Sequence, residues 1–343
     1  MAQGRHRNNF DLLRILAATQ VAIIHAITLL KIPYNGFSNL LTLFPGVPIF
    51  FVISGFLVAE SLERNELRTF FVARALRIYP ALWACLIVSI IFAGVSGVSF
   101  PPSEFWPWLV AQVTFVQFYN PDFLRHFGVG VLNGSLWTIP VELQFYLTLP
   151  LLALLRTRAL LLVAAASVIF NQLFIWLAGD LASNAAKLVA NTLPPYLYMF
   201  LIGTLLQRHR DIVRRFLADR VIAWLAIYVV LELVLSFAPL HIGGNYINPL
   251  SATMLALVVV SAAHSQPFIR LPGDISYGLY LYHVPLLNLF IAHGYYKLTA
   301  GWAAVAAIAC AAMLASLSWV LVERPALMLK QVRLARRQSS AAT

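Results

Sequence analysis

About ten apolar blocks follow one another along the 343-residue chain, at approximately 11–31, 43–61, 78–97, 136–155, 159–178, 192–207, 221–238, 247–265, 275–293 and 300–322. About 20 residues of helix cross the roughly 30 Å hydrocarbon core of a bilayer, and most of these blocks reach that length. Hydrocarbon offers backbone N–H and C=O groups no partner, so a spanning segment is either a helix or part of a closed barrel. The blocks lack the ten-residue alternation of an outer-membrane barrel. Composition agrees: 61% of residues are hydrophobic and 11% charged, against about 45–50% apolar and 25% charged in an ordinary soluble domain. The expected fold is an all-α integral membrane protein with about ten transmembrane helices.

The net charge of +11 raises the question of a nucleic-acid partner, but the basic residues form no single face or stripe. They fall between the apolar blocks, on alternate sides. Of the 24 basic residues only Lys31, Arg125, Lys187 and Lys297 lie on one side. The Lys/Arg-rich side is the cytoplasmic one, which places both termini in the cytoplasm. Residues 1–330 are expected to form a single transmembrane domain, with 331–343 a basic cytoplasmic tail attracted to anionic membrane lipid. Arg14 interrupts the first block and no small-residue cleavage site follows it, so that block reads as a retained span and not a signal peptide. The long external segment 98–135 carries Trp106, Trp108, Phe115, Phe118 and Tyr119, and suits a short amphipathic helix at 104–118 lying along the membrane interface. Cys85 and Cys310, inside apolar blocks, read as small buried hydrophobes; no disulfide framework or metal-ligand spacing is present.

Ionisable groups inside lipid are costly and mark function. Arg14 and His25 are eleven residues apart on the first span, almost three helical turns, and so share one face with about 16 Å between them along the axis. Arg14 lies near the cytoplasmic surface and either lines a site or snorkels to headgroups; His25 lies at or beyond the midplane. Glu142, one to two turns into the fourth span, needs a cation or an imidazole beside it to stay ionised. His25 is the expected partner, and a carboxylate that holds an imidazole in one tautomer is an arrangement for general-base catalysis. Arg74 and Arg77, three apart at the entry to the third span, present two guanidinium forks to phosphate, or serve as ordinary positive-inside anchors. His283, next to the helix-kinking Pro285, lines the same cavity or bonds a carbonyl that the kink frees. Glu323, at the inner surface, is either catalytic or a structural partner of Arg74 or Arg77.

The segments that carry these residues resemble the acyltransferase-3 family of membrane O-acyltransferases. FDLLRILAATQVAIIHA is similar to the family's opening motif and contributes Arg14 and His25; GVPIFFVISGFLVAESL resembles its second span and contributes Ser54. FFVARALRIYP resembles its Arg-x-x-Arg entry, with Arg74 and Arg77. SLWTIPVELQFY places Glu142, and ISYGLYLYHVP and VERP match late features at His283 and Glu323. The motifs run from residue 10 to about 326, and the likeness is to the standalone type without an appended soluble esterase-like domain.

The resemblance implies an enzyme of the bacterial inner membrane. It would move an acyl group, most often acetyl, from a cytoplasmic acyl-CoA to a sugar hydroxyl of a cell-surface or lipid-linked glycan. Acyl-CoA is then a co-substrate, no cofactor is bound, and nucleic acid is not a partner. In this reading His25 and Glu142 are catalytic, Arg14, Arg74 and Arg77 hold the donor's phosphates, and His283, Glu323 and Ser54 line the cavity or support it. His25 would act as base or carry the acyl group. A rival reading is a multi-span transporter with an Arg/His/Glu relay, although the blocks show no matched pair of broken helices. A third is an assembly scaffold in which buried charges fix helix packing.

Overall fold

The computed structural model describes residues 8–178, 184–237, 245, 247–295 and 299–329, with backbone alone at 178 and 184–186. The basic tail 331–343, Lys330, Arg5, Arg7, His241 and Lys297 lie outside the described residues. Among the described residues every regular element is helical. In order they are α1 (Phe10–Leu29), α2 (Gly36–Thr42), α3 (Gly46–Glu63), α4 (Leu67–Val95), α5 (Pro102–Val113), α6 (Thr138–Ala153), α7 (Thr157–Ala178), α8 (Asn184–Val189), α9 (Leu197–Arg208), α10 (Arg210–Ile212), α11 (Val221–Ser236), α12 (Pro249–Ala263), α13 (Ser276–Ala292) and α14 (Ala300–Ser318). Each of the ten apolar blocks coincides with one of these helices. Among the described residues six helical stretches are long and apolar enough to cross a membrane: Phe10–Leu29, Gly36–Glu63, Leu67–Val95, Gly134–Ala153, Thr157–Leu177 and Ala300–Leu329; Val221–Ser236 and Pro249–Ala263 are shorter apolar helices. Large apolar side chains such as Ile222, Leu154, Trp176 and Trp302 are more than 70% exposed. Apolar surface of that extent belongs against lipid.

The helices group into two compact units. The first draws on the described parts of Met1–Gln20, Asn35–Arg64 and Val141–Pro272; the second on those of Val21–Tyr34, Asn65–Pro140 and Gly273–Thr343. In the first unit α3 packs most extensively on α9. Two glycines set how closely they approach. A Cβ at Gly55 would stand 2.0 Å from the Phe200 carbonyl oxygen, and one at Gly203 would stand 2.1 Å from that of Val52. Small residues let helix backbones meet where lipid gives no hydrophobic drive to pack. The contact is sealed by Thr204, whose hydroxyl donates to the Gly55 carbonyl at 3.1 Å, and by Phe200, which stacks between Phe51 and Phe145.

In the second unit the central element is α13, buried almost all round from Ser276 to Asn288. It lies along α14, where Ala303, Ala307, Ala311 and Ala315 recur every fourth residue and are all buried. Gly278 completes the fit, since a Cβ there would stand 2.9 Å from the Ala315 Cα. Two expectations about this unit change. The third span's helix begins at Leu67, well before the apolar block at 78, so Arg74 and Arg77 lie on its first turns. The segment after α4 carries helix α5, shorter than the expected 104–118, and one of its aromatic side chains is turned into a core. Trp108 is buried with Leu86, Ala93, Leu124, Phe127 and Leu132 in one core, with Phe100, Phe105 and Phe123 packed around it. Trp106, Phe115 and Tyr119 remain exposed.

The two glycines make the α3–α9 contact vulnerable. Gly55→Ala is expected to lower stability by about 1–3 kcal/mol and the thermal midpoint of the detergent-solubilised protein with it. Gly301→Ala, where nothing lies within 4 Å of the added carbon, should leave that midpoint unchanged. An unshifted Gly55→Ala would show that the helices separate freely.

Candidate active site

Helix α13 is built around two local problems. Its start has unpaired backbone N–H groups, and Asp274 meets them: its carboxylate accepts from the Ser276 N–H at 3.2 Å and from the Ser276 hydroxyl. The other oxygen of Asp274 takes the Arg77 guanidinium of α4 at 2.5 Å, with side chains 14% and 10% exposed for Arg77 and Asp274. Arg77 also sits over the Tyr277 ring, and the Tyr277 hydroxyl donates to the Ile78 carbonyl at 3.1 Å. The second problem is Pro285, which has no N–H to offer the Leu281 carbonyl one turn back. Asn133 donates to that carbonyl at 2.9 Å and the Cys85 thiol at 3.3 Å. Asn133 is fixed in turn by Ser135, whose N–H and hydroxyl both reach its side-chain oxygen. The Tyr280 hydroxyl donates to the Ser135 carbonyl and adjoins the Thr138 hydroxyl.

His283 lies two turns into this braced helix and is fully buried. Its Nε2 lies 2.8 Å from Nδ1 of His25 on α1, and the two rings stack with centroids 5.1 Å apart and planes 26° from parallel. The His25 ring is half-buried, so one edge is held by His283 while the side chain keeps exposed surface. The packing that sets this pair is aliphatic: Ala26 and Leu30 of the α1 end meet Leu287 of α13 and Ala303, Ala304 and Ala307 of α14. A partly buried imidazole braced by a fully buried hydrogen-bonding partner has the parts needed to exchange a proton with a substrate.

Among the described residues the hydrogen-bonded partner of His25 is His283, a pairing the sequence did not point to. Glu142 accepts from the Ser54 hydroxyl at 3.0 Å and from the Tyr146 hydroxyl through the same carboxylate oxygen. This cluster belongs to the first unit, and it brings together two of the expected residues, Ser54 and Glu142. Arg14 is half-buried on α1. Arg74 is half-buried one turn before Arg77, and Glu323 is 2% exposed and accepts from Ser318 at 3.2 Å. The Arg77 carboxylate partner is Asp274. The carbonyl freed by Pro285 is served by Asn133 and Cys85, so the His283 ring does not bond it and meets His25 and the Leu279 carbonyl. Asp274, Asn133 and Tyr146 were not singled out in advance. For Asn133 a signal existed: a proline inside an apolar helix announces an orphan carbonyl that needs a donor.

With this geometry in view, residues 7–322 match the acyltransferase domain model of the acyltransferase-3 family. The chain belongs to the acyltransferase-3 family. It is 36% identical to nodulation protein 10 of Rhizobium leguminosarum bv. viciae over 364 aligned residues, covering 98% of this chain and 97% of that protein. It is 26% identical to an O-acetyl transferase of Shigella phage Sf6, covering 93% and 96%. It is 25% identical to the peptidoglycan O-acetyltransferase OatA of Listeria monocytogenes, covering 82% of this chain and 51% of that protein. No solved structure matches. The family and these relatives make this chain an acyltransferase, and its multiple apolar helices make it a multi-pass membrane protein.

The Arg77–Asp274 pair gives this acyltransferase a measurable dependence. Removing one partner of a buried pair strands the other charge and costs about 3–5 kcal/mol. An exposed pair is worth at most about 1 kcal/mol. Asp274→Ala is expected to destabilise strongly, whereas Arg64→Ala, which breaks the exposed Arg64–Glu60 bridge, should be nearly silent. Thermal unfolding of the two purified variants checks the contrast, and equal midpoints would contradict it.

Proposed function

We propose that the protein transfers an acyl group, acetyl in the simplest case, from a cytoplasmic acyl-CoA to a sugar hydroxyl of a cell-surface or lipid-linked glycan. The reading places it in a bacterial inner membrane with ten spans and both termini in the cytoplasm. The acetyl group and the glycan acceptor rest on relatives named as O-acetyl transferases, one of them for peptidoglycan; the acyl-CoA donor rests on the family resemblance of the motifs. The orientation rests on the side to which the basic residues fall.

The observation that carries the chemistry is the half-buried His25 imidazole held at 2.8 Å by the buried His283. Asp274 stands just before α13, and from the first residue of that helix, Ser276, to His283 is seven residues, about 10 Å at helical rise. The donor would therefore lie with its phosphates at the Arg77 end and its thioester reaching inward on a long flexible arm. Arg74 and Arg77, three residues apart on α4 and sharing a face, hold those phosphates, with Asp274 orienting the Arg77 fork. His25 then takes the proton of the acceptor hydroxyl. The oxygen attacks the thioester carbonyl, and the tetrahedral adduct collapses with loss of the CoA thiolate, which receives the proton from the imidazolium. Arg14 is kept as a phosphate-binding cation and Glu142 as a catalytic carboxylate on the strength of their motifs. Acyl-CoA is consumed as a co-substrate, and no bound cofactor is invoked.

His25→Ala is expected to reduce ester-linked acyl groups on surface glycans to background while the variant accumulates in the membrane at the wild-type level. Alkali-released acyl groups, measured by mass spectrometry against the amount of protein present, check this. Undiminished acylation by the variant removes His25 from the reaction.

A further inference from the structure

A neutral imidazole has one N–H donor and one lone-pair acceptor, so a chain of hydrogen bonds running through two imidazoles fixes the tautomer of both. The chain here starts at a group with no choice. The Leu279 carbonyl only accepts, and Nδ1 of His283 lies 3.2 Å from it. Nδ1 of His283 is therefore the protonated nitrogen and its Nε2 carries the lone pair. That Nε2 lies 2.8 Å from Nδ1 of His25, so the proton between the rings belongs to His25. Nε2 of His25 is left as a bare lone pair and makes no hydrogen bond among the described residues.

We propose that His283 is a positioning residue that locks His25 in its Nδ1–H tautomer and so keeps Nε2 ready to accept a proton. The proposal rests on the reading of His25 as the base. In the other tautomer Nε2 would carry a hydrogen and could only donate. The surroundings of His283 hold the lock shut. It is fully buried, with the Tyr280 ring against it at 5.9 Å. Its helix is anchored before it by Asp274 and Arg77 and after it by Asn288, which donates to the Val131 carbonyl and accepts from the Val129 N–H. The Pro285 interruption is repaired by Asn133, so the carbonyl ladder near His283 has no competing orphan. A neutral histidine thus fills the place that a carboxylate fills in the serine-protease triad, where losing the correct tautomer lowers kcat about 10⁴-fold.

Three variants and one spectrum test this. The assay measures acetyl-CoA consumption by purified protein in the presence of glycan-bearing membranes. His283→Phe keeps a ring in the space but offers no acceptor, and is expected to lower kcat at least about 100-fold while the KM for acetyl-CoA changes little. His283→Gln can place its amide oxygen where Nε2 stood, and is expected to recover activity to within about tenfold of wild type. His25→Ala in the same assay tests the underlying reading. If it stays active, His25 is not the base. If it is inactive while His283→Phe is near wild type, or while His283→Gln is no better than His283→Phe, the base survives and the positioning role is overturned. Ring ¹⁵N spectra of the wild-type protein make the test independent of how the variants fold: His25 is expected as the Nδ1–H, bare-Nε2 tautomer, and the opposite tautomer overturns the proposal.

Discussion

Hydrocarbon gives a hydrogen-bonding group nothing to bond to, and each one left unpaired there costs several kcal/mol. That cost shapes this protein from its secondary structure to its candidate site. It makes the apolar blocks helices, and it also decides what happens where a helix is imperfect. Pro285 leaves the Leu281 carbonyl without its helical partner, and Asn133 and Cys85 supply the missing donors. Those donors come from the segment before α6 and from α4, so repairing one break ties three pieces of chain together.

The candidate chemistry sits inside that repair. His283 precedes Pro285 by two residues, and the groups that mend the proline break also immobilise the helix carrying His283. The Arg77–Asp274 pair secures the start of the same helix. His25 meets this rigid element at one ring nitrogen. A membrane acyltransferase that must hold a base within reach of two substrates gains from such a mounting, because small misplacements of a catalytic group cost large factors in rate.

Much of this was legible in the residues alone. The length of the apolar blocks located ten helices, and the polar residues inside them picked out His25, Glu142, Arg77 and His283. What could not be read was which of them meet. His25 and His283 are separated by 258 positions, and spacing along one helix reports its faces without reporting which helix lies opposite. The choice of Glu142 as partner followed from charge logic, which says what an imidazole would favour and nothing of which helix lies beside it. The start of α4 was missed for a related reason. Hydropathy marks where lipid begins, whereas the helix runs on through the charged turns of Leu67–Arg77, whose arginines lower the mean hydropathy although Phe70 and Ala73 are buried there. Trp108 shows the same limit, since an aromatic residue in a connecting segment suits an interface as well as it suits the small core it occupies.

The central claim is that this chain moves an acyl group onto a glycan hydroxyl. The most direct measurement is the mass of surface glycans from cells with and without the gene, taken before and after mild alkali. The account predicts an acyl-sized mass increment that is present only with the gene and is removed by alkali. Identical glycan masses in the two strains, together with unchanged use of acyl-CoA by their membranes, would contradict it.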